Sequence, residues 1–207
     1  MWSRGVAIRP VPSHAVVEPR TVEGVREAFE ADDDDAQRKL DDAFSRFEAT
    51  QPALSARLED ALEKRGLDET ARTLGYFLGV CVWLAFDRQF GGRLGRVDDV
   101  AVRAETDALE LEAELRASGD SLASELRGPA VGGSLDAEDV VSREQPALME
   151  FIHEHIDVAL DSESFATKGD VDDVHAIYRV VLVELLSLSH AVAPHPGAPA
   201  RRGEVLA

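Results

Sequence analysis

The chain has 207 residues, of which 44% are hydrophobic and 30% are charged. This length is sufficient to bury a sizeable core, and this composition is typical of a globular protein rather than a disordered one. Forty acidic residues oppose 22 basic ones, which gives a formal net charge of −18. Because such a surface repels phosphate groups and anionic lipids, we expect no binding to nucleic acid or to membranes.

The single cysteine, Cys81, lies in the apolar run LGVCVWLAF. It has no partner for a disulfide within the chain, and we interpret it as a small buried hydrophobe. The N-terminus lacks the continuous apolar core of a secretory signal. The longest apolar stretch, residues 74–86, is shorter than the ~20 residues that cross a bilayer. These features predict a soluble, cytoplasmic protein.

Prolines interrupt the first 19 residues, so residues 1–19 are predicted to be an extended or disordered tail. A helical pattern starts at Thr21, and a second helix is predicted after the DDDD run at 32–35, since acidic residues favour helix N-termini. A calcium loop is the alternative for that run. It lacks the spaced ligands, the central glycine and the terminal glutamate of that motif.

The next two helices are predicted to form a hairpin. Pro52 suits a first helical turn, and Leu54, Leu58 and Leu62 form one apolar stripe. The following helix, from Asp68 to about residue 90, is apolar on nearly every side and is therefore predicted to be buried. It contains Gly75 and Gly79, whose spacing would allow another helix to approach closely.

The second half of the chain is also helical in pattern. Residues 97–118 predict a long amphipathic helix with an acidic outer side, and the Gly/Pro-rich residues 127–135 predict a flexible loop. One continuous helical pattern then covers residues 136–160. A last helix, apolar on most faces, covers residues 170–192, and residues 193–207 are predicted to be a disordered Pro-rich tail.

The motif QPAL occurs at residues 51–54 and again at residues 145–148. Aligning the two copies pairs Leu58 with Ile152, and a longer loop in the second half then pairs Tyr76 with Tyr178. The sequence therefore predicts an all-α helical bundle with an internal duplication of a helix-loop-helix unit around two buried central helices. The single domain would cover residues 20–192, with pseudo-repeat halves at about 20–96 and 97–192.

Four polar residues of the second hairpin are predicted to line one seam. His153 and Asp157 lie one turn apart on one helix, and His175 and Arg179 lie on the flank of the next. Imidazole nitrogen and carboxylate oxygen suit zinc or iron, so His153, Asp157 and His175 are the candidate ligands of a divalent metal. A His–Asp pair could alternatively serve general acid–base catalysis.

Two other interpretations apply to this seam. The stretch EFIH at 150–153 has the Glu-x-x-His spacing of ferritin-like di-iron bundles, but its partner would be DDVH at 172–175, with Asp in place of Glu. Glu150 also lies away from the apolar face. The simpler interpretation is a solvated flank in which His153 and Asp157 pair on the helix surface for a few tenths of a kcal/mol.

We found no nucleophile elbow and no Gly-rich phosphate loop in the sequence. The leading functional hypothesis is therefore a non-enzymatic protein-interaction or self-assembly module, which requires no cofactor and binds either a protein partner or further copies of itself. The alternative is a metal-binding or hydrolytic protein that uses the His/Asp seam. A third hypothesis is an apolar ligand cavity between the buried helices near Gly75, Gly79 and Tyr178.

Overall fold

In a computed structural model, residues 8–29, 34–64, 67, 69–126, 137–161 and 168–196 are described. Over these residues the chain forms eight α-helices and no strand, which confirms the prediction of an all-α bundle. A 3-10 turn covers Gly91–Arg93, and one isolated bridge pairs Leu94 with Val192. The helices are α1 (Pro19–Phe29), α2 (Asp34–Thr50), α3 (Pro52–Lys64), α4 (Glu69–Phe90), α5 (Asp99–Leu126), α6 (Ala137–Glu144), α7 (Pro146–Leu160) and α8 (Lys168–Ala191).

The two central helices, α4 and α8, pack against each other along the middle of the bundle. Every residue in the stretches 78–86 and 180–189 is buried. This confirms the prediction of two buried central helices, whose apolar residues on all sides can be covered only by the surrounding helices. By length and composition, Asp173–Ala191 of α8 could span a membrane, but 72% of its most apolar stretch is buried inside the bundle, as in a core helix.

Helix α3 lies very close to α4 because α4 has glycine at the two contact positions. A Cβ atom built on Gly75 would lie 2.6 Å from Leu62 Cδ2, and one built on Gly79 would lie 2.7 Å from Leu58 Cδ2. The glycine spacing therefore serves helix packing. The hypothesis of an apolar cavity at these two glycines is wrong, because the leucine side chains of α3 occupy that space.

A buried glutamine stands at the junction before each Pro-started helix. Gln51 donates through Nε2 to Gly95 O and accepts from Val97 N–H. Gln145 donates through Nε2 to Ala15 O and accepts from Val17 N–H. Each side-chain amide thus satisfies both backbone groups of an extended segment, and that segment leads into the first helix of the opposite half.

Several helix contacts of the first half recur in the second, although α2 also packs on α1 and α4 without a matching contact of α6 among the described residues. Helix α1 contacts α4 and α7, and α5 likewise contacts α8 and α3. Helix α2 contacts α3 as α6 contacts α7, and α3 contacts α4 as α7 contacts α8. These correspondences match the order of elements that the repeated QPAL motif predicts. A duplication of one ancestral unit stays a prediction.

The structure differs from the sequence prediction at the N-terminal segment. Residues 8–18 are not helical, but Ile8, Val11, Ala15 and Val17 are buried in the core. His14 also contacts Val192 O through Nε2 at 2.9 Å. This part of the predicted tail belongs to the folded body, because its apolar side chains cover the ends of the central helices. At the other end, Ala193 N–H donates to Arg93 O, and residues 197–207 lie outside the described residues.

The prediction of one continuous helix over residues 136–160 is wrong. The chain forms α6 and α7, which are separated at Gln145, where φ is −129° and ψ is 55°. Pro146 causes the break because proline disfavours the helical conformation of the residue before it and has no N–H to donate. Helix α5 also extends beyond the predicted end at residue 118 to Leu126. The predicted flexible loop at 127–135 lies outside the described residues.

Candidate functional site

The predicted seam residues lie on α7 and α8, as the hairpin geometry requires. His153 is half-buried, whereas Asp157, His175 and Arg179 are exposed. The imidazole ring of His153 stacks on the Tyr178 ring with 5.6 Å between the centroids. Its Nε2 lies 3.0 Å from Tyr178 Oη and 3.3 Å from Glu138 Oε1. His153 therefore lies between the phenol of α8 and a carboxylate of α6.

The three candidate metal ligands are divided between two depressions of the surface. His153 and His175 line a cleft between α6, α7 and α8. Asp157 lines a separate open groove, which it shares with His153 and the ion pair of Arg26 with Glu154. Within the described residues, no group of three or more His, Cys, Asp or Glu side chains is arranged to hold a metal ion.

We call the first depression the Tyr178 cleft. It has a volume of about 190 Å³ and an opening to solvent. Its apolar walls are formed by Ile156, Leu160 and Val174, and its polar groups are those of Glu138, His153, His175 and Tyr178. The cleft thus combines an aromatic and aliphatic floor with a few hydrogen-bonding groups, which is the usual composition of a small-molecule site.

Sequence reasoning missed Glu138 as a member of this cleft. In one continuous helix, Glu138 and His153 would be about 22 Å apart, since each residue adds 1.5 Å. The break at Gln145 instead turns α6 back onto α7, which brings the two side chains into contact. The QP dipeptide was the available signal, because the same dipeptide marks the boundary between α2 and α3.

The corresponding position in the first half is filled by an aromatic ring. Phe44 of α2 packs edge-on against Tyr76 of α4, with 5.6 Å between the ring centroids. Aligned on the two glutamines, Phe44 corresponds to Glu138 and Glu59 corresponds to His153. Burial, followed by the nearby charges of Glu59 and Glu63, raises the pKa of Tyr76. The two tyrosines are thus equivalent in position but differ in what lies over them.

A buried charged cluster fixes the N-terminal segment to the bundle. Glu105 of α5 accepts from Arg9 at 2.6 Å and pairs with His190 Nδ1 at 2.9 Å. Burial alone would raise the pKa of Glu105, but the hydrogen bonds with His190 and Arg9 outweigh it and lower that pKa. His190 Nε2 also lies 3.2 Å from Pro10 O. This cluster joins α5, α8 and the segment before α1, and is therefore structural.

Glu184 lies in the centre of the bundle without a neutralising partner. Its side chain on α8 is 3% exposed, and neither carboxyl oxygen has a hydrogen-bond partner among the described residues. Its Oε2 would be 3.1 Å from a Cβ atom on Gly79, so the absence of that side chain provides its space. Burial raises the pKa of Glu184 well above the ordinary glutamate value. Burial likewise raises the pKa of the Cys81 thiol, which makes it a poor nucleophile.

Helix α5 has large apolar side chains on two sides. Val102 and Leu109 are buried in the bundle, together with Glu105 and Glu112. Leu111 and Leu115 point outward and are 49% and 57% exposed. Four large apolar side chains are conspicuously exposed among the described residues, and three of them, including Val100, lie on α5. We call the surface formed by Val100, Ala104, Leu111 and Leu115 the α5 face; it follows one side of the helix at the helical repeat.

Comparison with known proteins finds no match to a protein-family model, to a curated protein or to a solved structure.

Proposed function

We propose that the protein is a non-enzymatic module that binds a partner protein through the α5 face. The observation that supports this proposal is that α5 buries Val102 and Leu109 on its inner side and also exposes Val100, Leu111 and Leu115 on its outer side. A helix that only covered a core would have its large apolar residues on the inner side alone. Contiguous exposed apolar residues with a polar edge are typical of protein–protein contact sites.

The charges beside the α5 face favour a basic partner. One edge of the apolar stripe carries Arg103 followed by Asp107, Glu110 and Glu114 at spacings of three and four residues, so it has a net negative charge. An amphipathic helix with lysine or arginine on its flanks would complement this edge, in the manner of a helix that binds an apolar groove. A second copy of the chain would bring a further charge of −18 and the same acidic edge. Charge repulsion therefore favours a different protein over self-association.

A binding experiment with a designed peptide tests this proposal. The probe is a synthetic amphipathic helix with leucines at the helical repeat and lysines on both flanks, and its control carries glutamates in place of the lysines. The double substitution Leu111→Gln and Leu115→Gln should weaken binding of the basic peptide at least tenfold. Both side chains are exposed, so stability should change by no more than about 0.5 kcal/mol.

The matched control is Val158→Gln, which replaces an exposed apolar residue of α7 that is 68% accessible and remote from the α5 face in sequence. This variant should bind the basic peptide like the parent protein. Equal affinity for the basic and the acidic peptide would contradict the proposed partner. Concentration-dependent dimerisation in light scattering, abolished by the double substitution, would identify a second copy as the occupant instead.

The alternative metal-binding or hydrolytic function has less support, because Asp157 does not share the Tyr178 cleft with His153 and His175. Elemental analysis of the purified protein tests it directly. Stoichiometric zinc, iron or manganese that is lost in a His175→Ala variant would favour that function over the interaction module.

A further inference from the structure

We propose that residues 197–207 of this chain dock on the α5 face and compete there with the partner protein. This regulation rests on the proposed function, because it concerns the occupant of the same surface. Three observations support it: the chemistry of the segment, the place where the chain reaches it, and the length of α5 that it has to cover.

Residues 197–207, GAPARRGEVLA, have a composition that suits the α5 face. Two arginines, Arg201 and Arg202, and one acidic residue, Glu204, give their side chains a net charge of +1, within a chain whose net charge is −18. Val205 and Leu206 provide an adjacent apolar pair. Exposed leucines beside an edge of net negative charge form the complementary surface, so charge favours this occupant over a second copy of the whole chain.

The described part of the chain ends beside the start of α5. Gly95 N–H donates to Ala191 O at 2.9 Å, and Ala193 N–H donates to Arg93 O at 2.8 Å. These bonds hold the end of α8 against the residues that lead into α5, and the last described residue, Pro196, follows three positions later. Residues 197–207 therefore start near the N-terminal end of the helix that carries the α5 face.

The length of the segment is sufficient to follow this helix. Leu115, at the far end of the α5 face, lies 16 residues after Asp99, the first residue of α5. That separation corresponds to about 24 Å along a helix. The 11 residues of 197–207 span at most about 36 Å when extended. The α5 face is therefore within reach over its whole length.

The order of groups along the segment matches the order of groups along α5. The two arginines are its fifth and sixth residues, which an extended chain places at most about 17–20 Å from its start. Asp107 and Glu110 lie about 12 and 17 Å beyond the start of α5. The apolar pair follows the arginines and can reach Leu111 and Leu115. One extended path therefore allows both the ion pairs and the apolar contacts.

A docked segment on the same chain lowers the apparent affinity of a partner. Tethering gives the segment an effective concentration on the order of millimolar, so contacts that are weak between separate molecules still occupy the surface. A partner then binds only the fraction of molecules whose α5 face is open, and its apparent affinity falls by that fraction.

Limited proteolysis of the full chain measures the docking without any partner. Trypsin cleaves after arginine, and cleavage after Arg201 or Arg202 requires that the segment leaves the α5 face. Mass spectrometry of the intact chain follows the reaction. The double substitution Leu111→Gln and Leu115→Gln should raise the cleavage rate at least threefold. The matched control, Val158→Gln, replaces an exposed apolar residue of α7 and should leave the rate unchanged.

A second double substitution, Val205→Gln and Leu206→Gln, changes the segment instead of the helix and keeps every charge. It should raise the cleavage rate by a similar factor. Combining it with the double substitution on α5 should give no further increase, because both remove the same contact. Unchanged rates in both double variants, or effects that multiply in the combined variant, would overturn the docking.

Two other occupants would give different results in the same assay. If the double substitution on α5 accelerated cleavage after Arg4 but not after Arg201 or Arg202, residues 1–7 would be the occupant and the docking of 197–207 would be wrong. Protection of Arg201 and Arg202 that increased with protein concentration would identify a second copy of the chain, and would also overturn the docking.

The basic amphipathic peptide separates this regulation from the proposed function. The variant with Val205→Gln and Leu206→Gln should bind that peptide at least threefold more tightly than the parent protein, because the competitor is lost. Unchanged peptide affinity together with unchanged cleavage would overturn the docking while the α5 face kept its partner. Protected arginines without any peptide binding would instead remove the proposed partner and leave residues 197–207 as the occupant.

Discussion

The buried carboxyl of Glu184 makes a quantitative prediction for the pH dependence of stability. In the unfolded chain this group titrates with a pKa near the ordinary value of 4.5, whereas burial raises its pKa in the folded protein. As the pH rises above 4.5, the unfolded state releases this proton while the folded state retains it. The protonated carboxyl therefore contributes its full stability only at acidic pH, and the folded protein loses stability as the pH increases.

The magnitude follows from linkage. Each pH unit over which only the unfolded state is ionised changes the free energy of unfolding by about 1.4 kcal/mol. The variant Glu184→Gln has no proton to release at this position. Its free energy of unfolding relative to the parent protein should therefore rise with pH, by up to about 1.4 kcal/mol per pH unit as long as the folded protein keeps the Glu184 proton. The amide is buried at the same place without partners, but that cost does not depend on pH and cancels in the comparison.

Urea denaturation followed by circular dichroism at pH 5.5, 6.5 and 7.5 measures this difference. Glu150→Gln is the matched control, because Glu150 is exposed on α7 and its replacement changes the net charge by the same amount. The control should show a difference from the parent protein that is nearly independent of pH. If the stability difference between Glu184→Gln and the parent protein were as independent of pH as that of the control, the carboxyl would not be held protonated in the core. That result would refute the reasoning from its burial.

Three further predictions concern the packing and the buried polar groups. Gly79→Ala should destabilise the protein by about 1–2 kcal/mol in the same urea assay, because a Cβ atom would overlap side chains of α3 and α8. The control Gly92→Ala should leave stability unchanged, because a Cβ atom there meets nothing within 4 Å. Equal effects of the two substitutions would contradict the close packing at Gly79. Gln145→Ala should lower the free energy of unfolding by about 2–4 kcal/mol, because it leaves two backbone groups unpaired, and Gln51→Ala should lower it by a similar amount. A loss of stability in only one of the two variants would contradict the equivalence of the two glutamines. The pKa of Glu105 is lowered in the folded protein, so its carboxylate should stabilise the fold above about pH 4.5 and cease to do so as the pH falls. The variant Glu105→Gln should therefore lose part of the dependence of urea unfolding on acidic pH. An unchanged pH profile would contradict the role of this cluster.

Periodicity of apolar residues was sufficient to predict the helices that form the core. The continuous apolar runs of α4 and α8 have no side suited to water, so burial at the centre follows from composition alone. Close approach at Gly75 and Gly79 could also be predicted, since only a residue without a side chain allows it there. Burial of Glu184 could not, because a single acidic residue in an apolar run equally well indicates an exposed position.

The candidate site was predicted less well because it depends on how helices turn relative to one another. A helical wheel correctly placed His153 and His175 on facing flanks, and both line the Tyr178 cleft. It could not show that Asp157 lines a different depression from His175, since this depends on the side-chain rotamers. The inclusion of Glu138 depends on the break at Gln145, which the pattern of apolar residues did not reveal.

The same two Gln-Pro junctions explain why the two halves form one domain. A helix break normally leaves backbone groups that need partners, and here a side-chain amide beside each break binds the backbone of the opposite half. Gln51 holds the segment that enters α5, and Gln145 holds the segment that enters α1. Each entry segment therefore takes two backbone hydrogen bonds from the opposite half, although Gln89 of the first half also binds Val16 O and Glu18 N–H of the segment before α1. This reciprocal dependence places the interface of the halves within the core rather than at a linker, and it accounts for the burial of residues 8–17 before the first helix begins.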